Sequence, residues 1–323
     1  MHILITGAAG MLGAKLAQSL ATDPPASLTR MTLVDVVAPR PPSGSPVATV
    51  AATLDITDPK AVAARLAKRP EVIFHLAAVV SGEAETDFDK GYAVNFDGTR
   101  SLFEAIRALP DYHPRVIFAS SIAVFGAPFP ETIPDEFAAA PLTSYGAQKA
   151  MGELMLADYT RKGVFDGVGI RLPTICVRPG RPNKAASGFF SNILREPLAG
   201  QEAVLPVSLD VRHWFASPRA AVGFFRHALA MDLSTIGPRR NLTMPGLCVT
   251  VGDEIEALRR VGGDGAVALI RHEPDPAIAR IVAGWPTRFD ASRAERLGFA
   301  ADVSFDAIVE AHVQEELGGV VAA

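Results

Sequence analysis

The sequence has only two cysteines, Cys176 and Cys248, and they do not form a CxxC pair. A scaffold held by disulfides is therefore not expected, and the cysteine content fits a reducing cytoplasm. The seven histidines are scattered along the chain without the spacing of metal ligands. We therefore expect no metal site.

An excess of charge of one sign is also lacking, because 31 basic residues oppose 35 acidic ones and the formal net charge is −4. This balance argues against nucleic acid or an acidic membrane surface as a partner. No apolar run reaches 18 residues, so we expect no membrane-spanning helix. A chain of 323 residues can bury a substantial core in one large or two ordinary domains.

Three glycines spaced three apart follow a short apolar run of strand type, Ile3–Thr6, and precede a helical pattern. Gly7 allows a tight turn, Gly10 lets the backbone approach a phosphate, and Gly13 lets the helix pack closely on the sheet. The free N–H groups of the helix N-terminus favour a pyrophosphate. The predicted dinucleotide-binding turn consists of Gly7, Gly10, Met11, Leu12 and Gly13.

The next predicted strand, Met31–Val34, ends in Asp35, about twenty residues beyond the glycines. A carboxylate at this place accepts hydrogen bonds from the adenosine ribose and repels a 2′-phosphate, so we predict NAD rather than NADP. Arg40 can serve a 2′-phosphate, which leaves the choice open. Further cofactor contacts are predicted after the third and fourth strands, at Asp55, Ile56, Ala77 and Ala78.

Tyr145 and Lys149 stand four residues apart in a helical segment, so their side chains share one helix face. An unperturbed tyrosine has a pKa of about 10, and a nearby cation favours its phenolate. The pair points to general-base catalysis on an alcohol that loses a hydride. By itself the spacing is a weak signal, because many exposed helices carry it by chance.

Taken together, the motifs resemble the extended short-chain dehydrogenase/reductases. The matching positions are the glycine turn, Asp35, the run His75–Ala78, Asn95, Ser121, Tyr145 and Lys149. The resemblance implies that Ser121 hydrogen-bonds the reacting oxygen, that Tyr145 exchanges the proton, and that Lys149 lowers the tyrosine pKa and holds the nicotinamide ribose. It also implies that Asn95 supports the active-site backbone, and we place Asn95 and Ser120 among the cofactor-binding residues. His75 is expected to be a buried, hydrogen-bonded histidine at a strand end.

Strand and helix patterns alternate as far as Val168–Arg171, which predicts an α/β fold. We expect a Rossmann-type doubly wound parallel sheet with a smaller C-terminal substrate-binding lobe. Beyond this point, prolines interleave with basic residues. The predicted NAD-binding domain covers 1–173, with 209–232 returning to it, and 174–323 forms mainly the substrate-binding lobe.

The stretch after the sixth predicted strand departs from the nucleotide-sugar enzymes of this family. Those enzymes commonly read Arg-Tyr-Phe-Asn-x-Tyr-Gly-Pro, whereas Arg171–Gly180 reads RLPTICVRPG, with Thr174 in place of the asparagine. Ile122 and Ala123 stand where sugar dehydratases need an Asp-Glu pair. These differences argue against dehydratase chemistry and weaken the case for epimerase chemistry.

Other stretches resemble the D-erythronate dehydrogenase branch: His75–Glu83, Ser120–Gly126, Arg178–Ala186, Arg212–Trp214 and Ser217–Ala221. This resemblance implies NAD-dependent oxidation of the C2 hydroxyl of a four-carbon sugar acid, D-erythronate, to 2-dehydro-D-erythronate. Such an acid needs a cation for its carboxylate and hydrogen-bond partners for its hydroxyls. Arg212 is the first candidate for the carboxylate, because it matches an arginine that epimerases direct at phosphate. The predicted substrate-binding residues are Ser81, Ser121, Arg178, Arg181, Asn183 and Arg212.

Two alternatives remain open at this point. A nucleotide-sugar 4-epimerase would keep NAD tightly bound and show no net cofactor turnover. A non-catalytic NAD-sensing protein is disfavoured by the intact set of Ser121, Tyr145 and Lys149. We expect a cytoplasmic homodimer that acts on a small-molecule sugar acid and has neither nucleic acid nor membrane as a partner.

Overall fold

The structure, a computed structural model, describes residues 1–180 and 187–322. Its strands are β1 (His2–Thr6), β2 (Arg30–Asp35), β3 (Ala48–Thr53), β4 (Val72–His75), β5 (Arg115–Ser121), β6 (Asp166–Leu172), β7 (Thr174–Ile175), β8 (Ala203–Leu205), β9 (Arg212–Ala216), β10 (Asn241–Thr243), β11 (Leu247–Thr250) and β12 (Ile270–His272). Its helices are α1 (Met11–Thr22), α2 (Pro59–Leu66), α3 (Ser81–Thr86), α4 (Phe88–Gly91), α5 (Gly98–Arg107), α6 (Ser144–Arg161), α7 (Gly188–Leu198), α8 (Pro218–Ala230), α9 (Val251–Ala268), α10 (Pro276–Ala283), α11 (Ser292–Arg296) and α12 (Phe305–Glu316). A π-helical turn lies at Tyr92–Asp97, and 3₁₀ turns lie at Ile122–Val124 and Leu233–Ile236.

The main sheet has seven strands in the order β10-β6-β5-β4-β1-β2-β3. The pairings of β3 with β2, β2 with β1, β1 with β4, and β4 with β5 are all parallel. This order is that of a doubly wound α/β fold, which confirms the predicted fold class. The strand order reverses between β1 and β4. In doubly wound folds, ligands bind at the carboxyl ends of the strands beside such a reversal.

The sequence pattern predicts the first four strands at Ile3–Thr6, Met31–Val34, Ala48–Leu54 and Val72–Phe74, and β1 to β4 lie within one residue of these bounds at each end. The fifth predicted strand, Arg115–Ala119, corresponds to β5, which continues through Ser120 and Ser121. A serine fits in this buried strand because the Ser120 hydroxyl donates a hydrogen bond of 2.6 Å to Glu153. The polar group is thus satisfied without water, which the sequence pattern alone did not reveal.

Contacts between residues divide the chain into two compact units. Unit 1 comprises 1–124, 141–171 and 222–242, and unit 2 comprises 125–140, 172–221 and 243–323. The core of unit 1 lies around residues such as Leu4 and Phe103, and that of unit 2 around Phe190 and Phe215. The predicted functional division of the chain stays a prediction.

Unit 2 contains a sheet in the order β11-β9-β7, in which β11 is antiparallel and β7 is parallel to β9. Strands β8 and β12 form a separate parallel pair. Helices α7, α9 and α12 pack together beside these strands. Within the described residues, no helix is both long enough and apolar enough to cross a bilayer.

Candidate active site

The turn between β1 and α1 is shaped by glycines at places that a side chain cannot occupy. Gly7 has a φ of +73°, and a Cβ there would lie 2.6 Å from the amide nitrogen of Ala77. A Cβ at Gly13 would overlap the carbonyl oxygen of Gly7. The edge of the turn is formed by Gly10, Met11 and Leu12, where the first N–H groups of α1 lack intrahelical partners. This glycine cradle fits the pyrophosphate of NAD.

Asp35 lies at the end of β2, beside the glycine turn. Its Oδ2 atom accepts a hydrogen bond of 3.0 Å from the amide of Ala9, and its Oδ1 atom accepts one of 3.4 Å from Val37. A carboxylate oxygen has more than one acceptor site, so these bonds leave capacity for ribose hydroxyls. The position therefore suits the predicted ribose contact.

Asp55 and Ile56, two of the predicted cofactor contacts, differ in exposure. Asp55 is exposed, and its Oδ1 atom accepts hydrogen bonds from the amide and hydroxyl of Thr57, at 2.9 and 2.7 Å. The side chain of Ile56 is buried in the core of unit 1, next to Gly98. Ala77 and Ala78, which follow β4, are half-buried.

His75 is fully enclosed between two threonines. Its Nδ1 atom lies 2.8 Å from the Thr6 hydroxyl, and its Nε2 atom lies 2.9 Å from the Thr99 hydroxyl. The Thr99 hydroxyl donates to the carbonyl oxygen of Asn95, so it accepts a hydrogen bond from the Nε2–H group of His75. Burial, with a smaller effect of the Lys149 charge, lowers the pKa of His75 to about 3. His75 is thus a neutral structural residue, as expected from the sequence.

Tyr145 lies in the first turn of α6, which is fixed against the end of β5. The hydroxyl of Thr143 caps this helix by accepting a hydrogen bond of 3.1 Å from the amide of Gly146. A Cβ at Gly146 would overlap the carbonyl oxygen of Ala123, so the helix can approach this closely only with glycine. Ala123 follows Ser121 by two residues, and its amide donates to the Ser121 hydroxyl at 3.1 Å. The structure thus brings the segments of Ser121 and Tyr145 together.

Lys149 follows one helical turn later and is 3% exposed. Its Nζ atom donates a hydrogen bond of 2.8 Å to the carbonyl oxygen of Ala119 and lies 5.7 Å from the centre of the Tyr145 ring. Burial lowers the pKa of Lys149 to about 8, while the negative charge of Glu153 acts in the opposite direction. A cation held in a site with little water interacts strongly with a nearby phenolate.

A buried ion pair lies one helical turn beyond Lys149. The guanidinium of Arg171 donates to both oxygens of Glu153, with Nε–Oε1 at 2.9 Å and Nη2–Oε2 at 2.7 Å. The hydroxyl of Ser120 donates to the same carboxylate. The Ser120 side chain, predicted to bind the cofactor, is therefore engaged inside unit 1.

Asn95 links the segment after β4 to α6. Its Oδ1 atom accepts from the amide of Val79 at 2.9 Å, and its Nδ2 atom donates to the Val79 carbonyl at 3.2 Å and to Oε1 of Gln148 at 2.7 Å. Ser81, a predicted substrate-binding residue, is exposed two residues after Val79 and begins α3. Asn95 therefore supports the backbone that leads to Ser81.

The predicted substrate-binding arginines of unit 2 lie in different surroundings. Arg178 is half-buried, and its guanidinium donates to the carbonyl of Ile175 at 3.0 Å and to the hydroxyl of Ser187 at 3.3 Å. Arg212 is exposed at the start of β9. The pKa of Asp253 is lowered by hydrogen bonds from Thr250 and, to a smaller extent, by the charge of Arg212. Arg181 and Asn183 lie outside the described residues.

Three buried polar residues near Lys149 were not among the predicted site residues: Gln148, Glu153 and Arg171. For Glu153, a signal was present, because it stands four residues after Lys149 and shares its helix face. Gln148 and Arg171 find their partners only through tertiary packing. Among the described residues, no group of three or more histidine, cysteine, aspartate or glutamate side chains is placed to hold a metal ion.

Residues 3–230 match the NAD dependent epimerase/dehydratase family. The chain belongs to this family. The predicted family and the predicted cofactor, NAD, are thereby confirmed.

Two family relatives match nearly the whole chain, and both are named D-erythronate dehydrogenase. The protein from Cupriavidus necator is 44% identical over 98% of this chain and 98% of its own length. The protein from Haemophilus influenzae is 41% identical over 98% of this chain and 100% of its own length. A crystal structure described as the nucleoside-diphosphate-sugar epimerase from Agrobacterium tumefaciens is 59% identical, with a TM-score of 0.95 over 99% of this chain and 95% of that one.

Proposed function

We propose that the chain is an NAD-dependent dehydrogenase that oxidises the C2 hydroxyl of D-erythronate to give 2-dehydro-D-erythronate. The two relatives named D-erythronate dehydrogenase support this substrate, since each matches 98% of the chain. The observation that carries the chemistry is the buried ammonium group of Lys149, 5.7 Å from the centre of the Tyr145 ring. This arrangement provides a base for removing a proton from an alcohol.

NAD would be held by the glycine cradle of Gly7, Gly10 and Gly13 and by the carboxylate of Asp35. The glycines leave room for phosphate, and Asp35 accepts hydrogen bonds from ribose hydroxyls. When bound, NAD accepts the hydride that leaves the substrate carbon. Predicted contacts at Asp55 and Ala77 complete the proposed cofactor site.

Tyr145 acts as the general base in this proposal, and its phenolic oxygen takes the proton of the C2 hydroxyl. The Lys149 ammonium favours the phenolate by charge. Ser121 accepts a hydrogen bond from Ala123, and its own proton is directed to the oxygen at C2. General-base assistance of this kind contributes ~10²–10⁴-fold to the rate.

We infer that Arg178 is a better candidate for the substrate carboxylate than Arg212, which the sequence favoured. Arg178 is half-buried and already oriented by Ile175 and Ser187, so it loses little side-chain freedom on binding. Arg212 is exposed and lies near the competing carboxylate of Asp253. A partly desolvated guanidinium with a fixed orientation suits a two-point grip on a carboxylate.

The proposal also includes the roles of the two units, the oligomeric state and the location in the cell. Unit 1 would bind NAD, and unit 2 would supply most contacts to the sugar acid. Homodimer formation and a cytoplasmic location remain part of the same proposal. Size-exclusion chromatography with light scattering measures the oligomeric state directly.

The test of function is a substrate screen. Purified protein is incubated with NAD and a panel of four- to six-carbon aldonates, the matching free sugars, and UDP-sugars, while NADH formation is followed by absorbance. We expect D-erythronate to give the highest kcat/KM and the neutral sugars to give little reaction. Faster NAD reduction with a different acid would reassign the substrate, and reduction by none of the acids would refute the proposal.

A nucleotide-sugar 4-epimerase is the second candidate, because the Agrobacterium tumefaciens structure is described as a nucleoside-diphosphate-sugar epimerase. An epimerase returns its hydride to the same substrate, so it retains the cofactor and shows no net reduction of added NAD. Protein that carries stoichiometric, non-exchanging NAD and interconverts UDP-sugars would favour this reading. A dehydrogenase instead reduces added NAD in a 1:1 ratio with acid oxidised.

A further inference from the structure

Gln148 is a buried residue of α6, the helix that carries Tyr145 and Lys149. It stands between the catalytic candidates on α6, one residue before Lys149, and its exposed fraction is 0%. Its Oε1 atom accepts a hydrogen bond from Asn95 Nδ2, whereas its Nε2 atom has no hydrogen-bond partner among the described residues. An apolar side chain of similar size would avoid the cost of burying that amide. Packing alone therefore does not account for a glutamine at this place.

The surroundings of Gln148 leave space for its amide group. A Cβ at Gly91 would lie 2.7 Å from Gln148 Nε2, so a side chain at residue 91 would require the glutamine amide to shift from its present position. Ala84 of α3 packs at the same place. The orientation of the amide follows from the network, because a reversed amide would place two N–H donors, those of Gln148 and Asn95, against each other.

The bond from Asn95 to Gln148 fixes both ends of the asparagine side chain. Its Oδ1 atom accepts a hydrogen bond from the N–H group of Val79. Its Nδ2 atom donates to the C=O group of Val79 and to Oε1 of Gln148. Asn95 itself lies in the π-helical turn Tyr92–Asp97, a rare distortion that is frequent at functional sites. The main chain at Val79 is therefore tied to α6 through two side chains.

A second hydrogen bond connects the other end of this segment, in α3, to the start of α6. The carboxylate of Glu85, in α3, accepts a hydrogen bond of 3.0 Å from the amide of Ser144, the first residue of α6. Helix α3 is thus attached to α6 through Asn95 and Gln148 at one end and through Glu85 at the other. Between these two attachments lies Ser81.

We propose that Gln148 is a positioning residue. Through Asn95 it holds Val79, and with it the Ser81 segment, in a fixed relation to Tyr145 and Lys149 on its own helix. The kinetic consequence rests on the proposed function, because it concerns how a substrate is placed against Tyr145. The structural consequence does not rest on it and can be measured in the protein without any substrate.

The structural test is amide hydrogen exchange of the ligand-free protein. Gln148→Met keeps most of the volume but deletes the acceptor for Asn95, so exchange in segment 77–82 should become at least ~5-fold faster. Gln148→Glu keeps an acceptor oxygen in both of its protonation states and should stay closer to the unmodified protein. Gln18→Met, the same change at an exposed position of α1, is the matched control. Unchanged exchange in segment 77–82 of folded Gln148→Met would overturn the proposal.

The kinetic test separates positioning from general destabilisation. Gln148→Met should lower kcat/KM for the acid ~5- to 20-fold, mainly through KM, with the affinity for NAD within about 2-fold. If Gln148 acts through Asn95, the double variant with Asn95→Ala should be no worse than Asn95→Ala alone. Additive losses, or equal losses for acid and NAD, would contradict the proposal. Should Gln148→Met fail to fold, the comparison of Gln148→Glu with the unmodified protein decides, since near-normal exchange and KM support the acceptor role and large losses oppose it.

A failure of the proposed function remains distinguishable from a failure of this inference. If no acid reduces NAD but exchange in segment 77–82 accelerates in Gln148→Met, the positioning network stands and the substrate assignment falls. If acids reduce NAD but neither exchange nor KM responds to Gln148→Met, the proposed function stands and the positioning role of Gln148 is refuted.

Discussion

The ammonium group of Lys149 donates a hydrogen bond of 2.8 Å to the carbonyl oxygen of Ala119, inside the core of unit 1. Folding therefore takes a cation out of water and gives it one neutral acceptor. Burial of this kind lowers the pKa of Lys149 to about 8 from its ordinary value of 10.5. The burial of this group therefore makes the stability of the protein depend on pH.

The first prediction concerns stability against pH. Between pH 8 and 10.5, unfolded Lys149 keeps a proton that the folded protein has lost, so stability should rise with pH across this window. The free energy of unfolding, compared with that of Lys149→Met, should increase by about 3 kcal/mol in total. Urea unfolding at several pH values measures it, with exposed Lys60→Met as control. Parallel curves for the unmodified protein and Lys149→Met would show that the ammonium is not buried as described.

The second prediction concerns the base. Tyr145→Phe keeps the ring on α6 but removes the proton acceptor, so kcat should fall by ~10²-fold or more. The affinity for NAD, measured by calorimetry, should change little, since the glycine cradle and Asp35 are untouched. If the variant keeps more than about a tenth of the activity, another group is the base.

The third prediction concerns cofactor choice. The unmodified protein should prefer NAD to NADP, and Asp35→Ser should narrow this preference by ~10-fold or more, because a charged acceptor for the ribose is lost. The change appears in KM for each cofactor. Asp58→Ser, which retains a helix N-cap, serves as the control. If the unmodified protein shows equal kcat/KM with both cofactors, the predicted preference for NAD is wrong, and Arg40 becomes the candidate for binding the 2′-phosphate of NADP.

The fourth prediction concerns the carboxylate. Arg178→Met should raise KM for the acid by ~10- to 100-fold, as expected for a charge-assisted hydrogen bond, without changing the affinity for NAD. Arg212→Met, the matched change at an exposed site, should have a smaller effect. The reverse order would restore Arg212 as the first candidate. Equal weakening of the acid and a neutral analogue would assign Arg178 a structural role.

The fifth prediction concerns acid lability. Burial lowers the pKa of both His75 and His213 to about 3, so both stay neutral in the folded protein while the unfolded chain binds protons below pH 6.5. Stability is fully present above pH 6.5 and is lost as the pH falls toward 3. Between about pH 7 and about pH 5, each histidine should lower the free energy of unfolding by about 2 kcal/mol. Urea unfolding of His75→Gln and His213→Gln should show a flatter pH dependence, whereas exposed His113→Gln should leave it unchanged.

The glycine turn and the position of Asp35 could be predicted because their signals are local. Gly7 has a positive φ in a tight turn, and Asp35 ends the next strand, so both placements follow from short stretches of sequence. The arginines of unit 2 show the limit of such signals. The family pattern favoured Arg212, but only the surroundings of Arg178 reveal which guanidinium is partly desolvated and already oriented.

The sequence by itself determined the family, the alternation of strands and helices as far as Arg171, the glycine turn, and the placement of Tyr145 and Lys149 on one helix face. These features depend on residues that are close together along the chain, where backbone geometry and helical periodicity act directly. Only the tertiary structure decided that Gln148 reaches Asn95, 53 residues away, and that Glu153 pairs with Arg171. Such partners are chosen by the packing of distant elements, because a buried polar group takes whichever complementary group the fold places beside it.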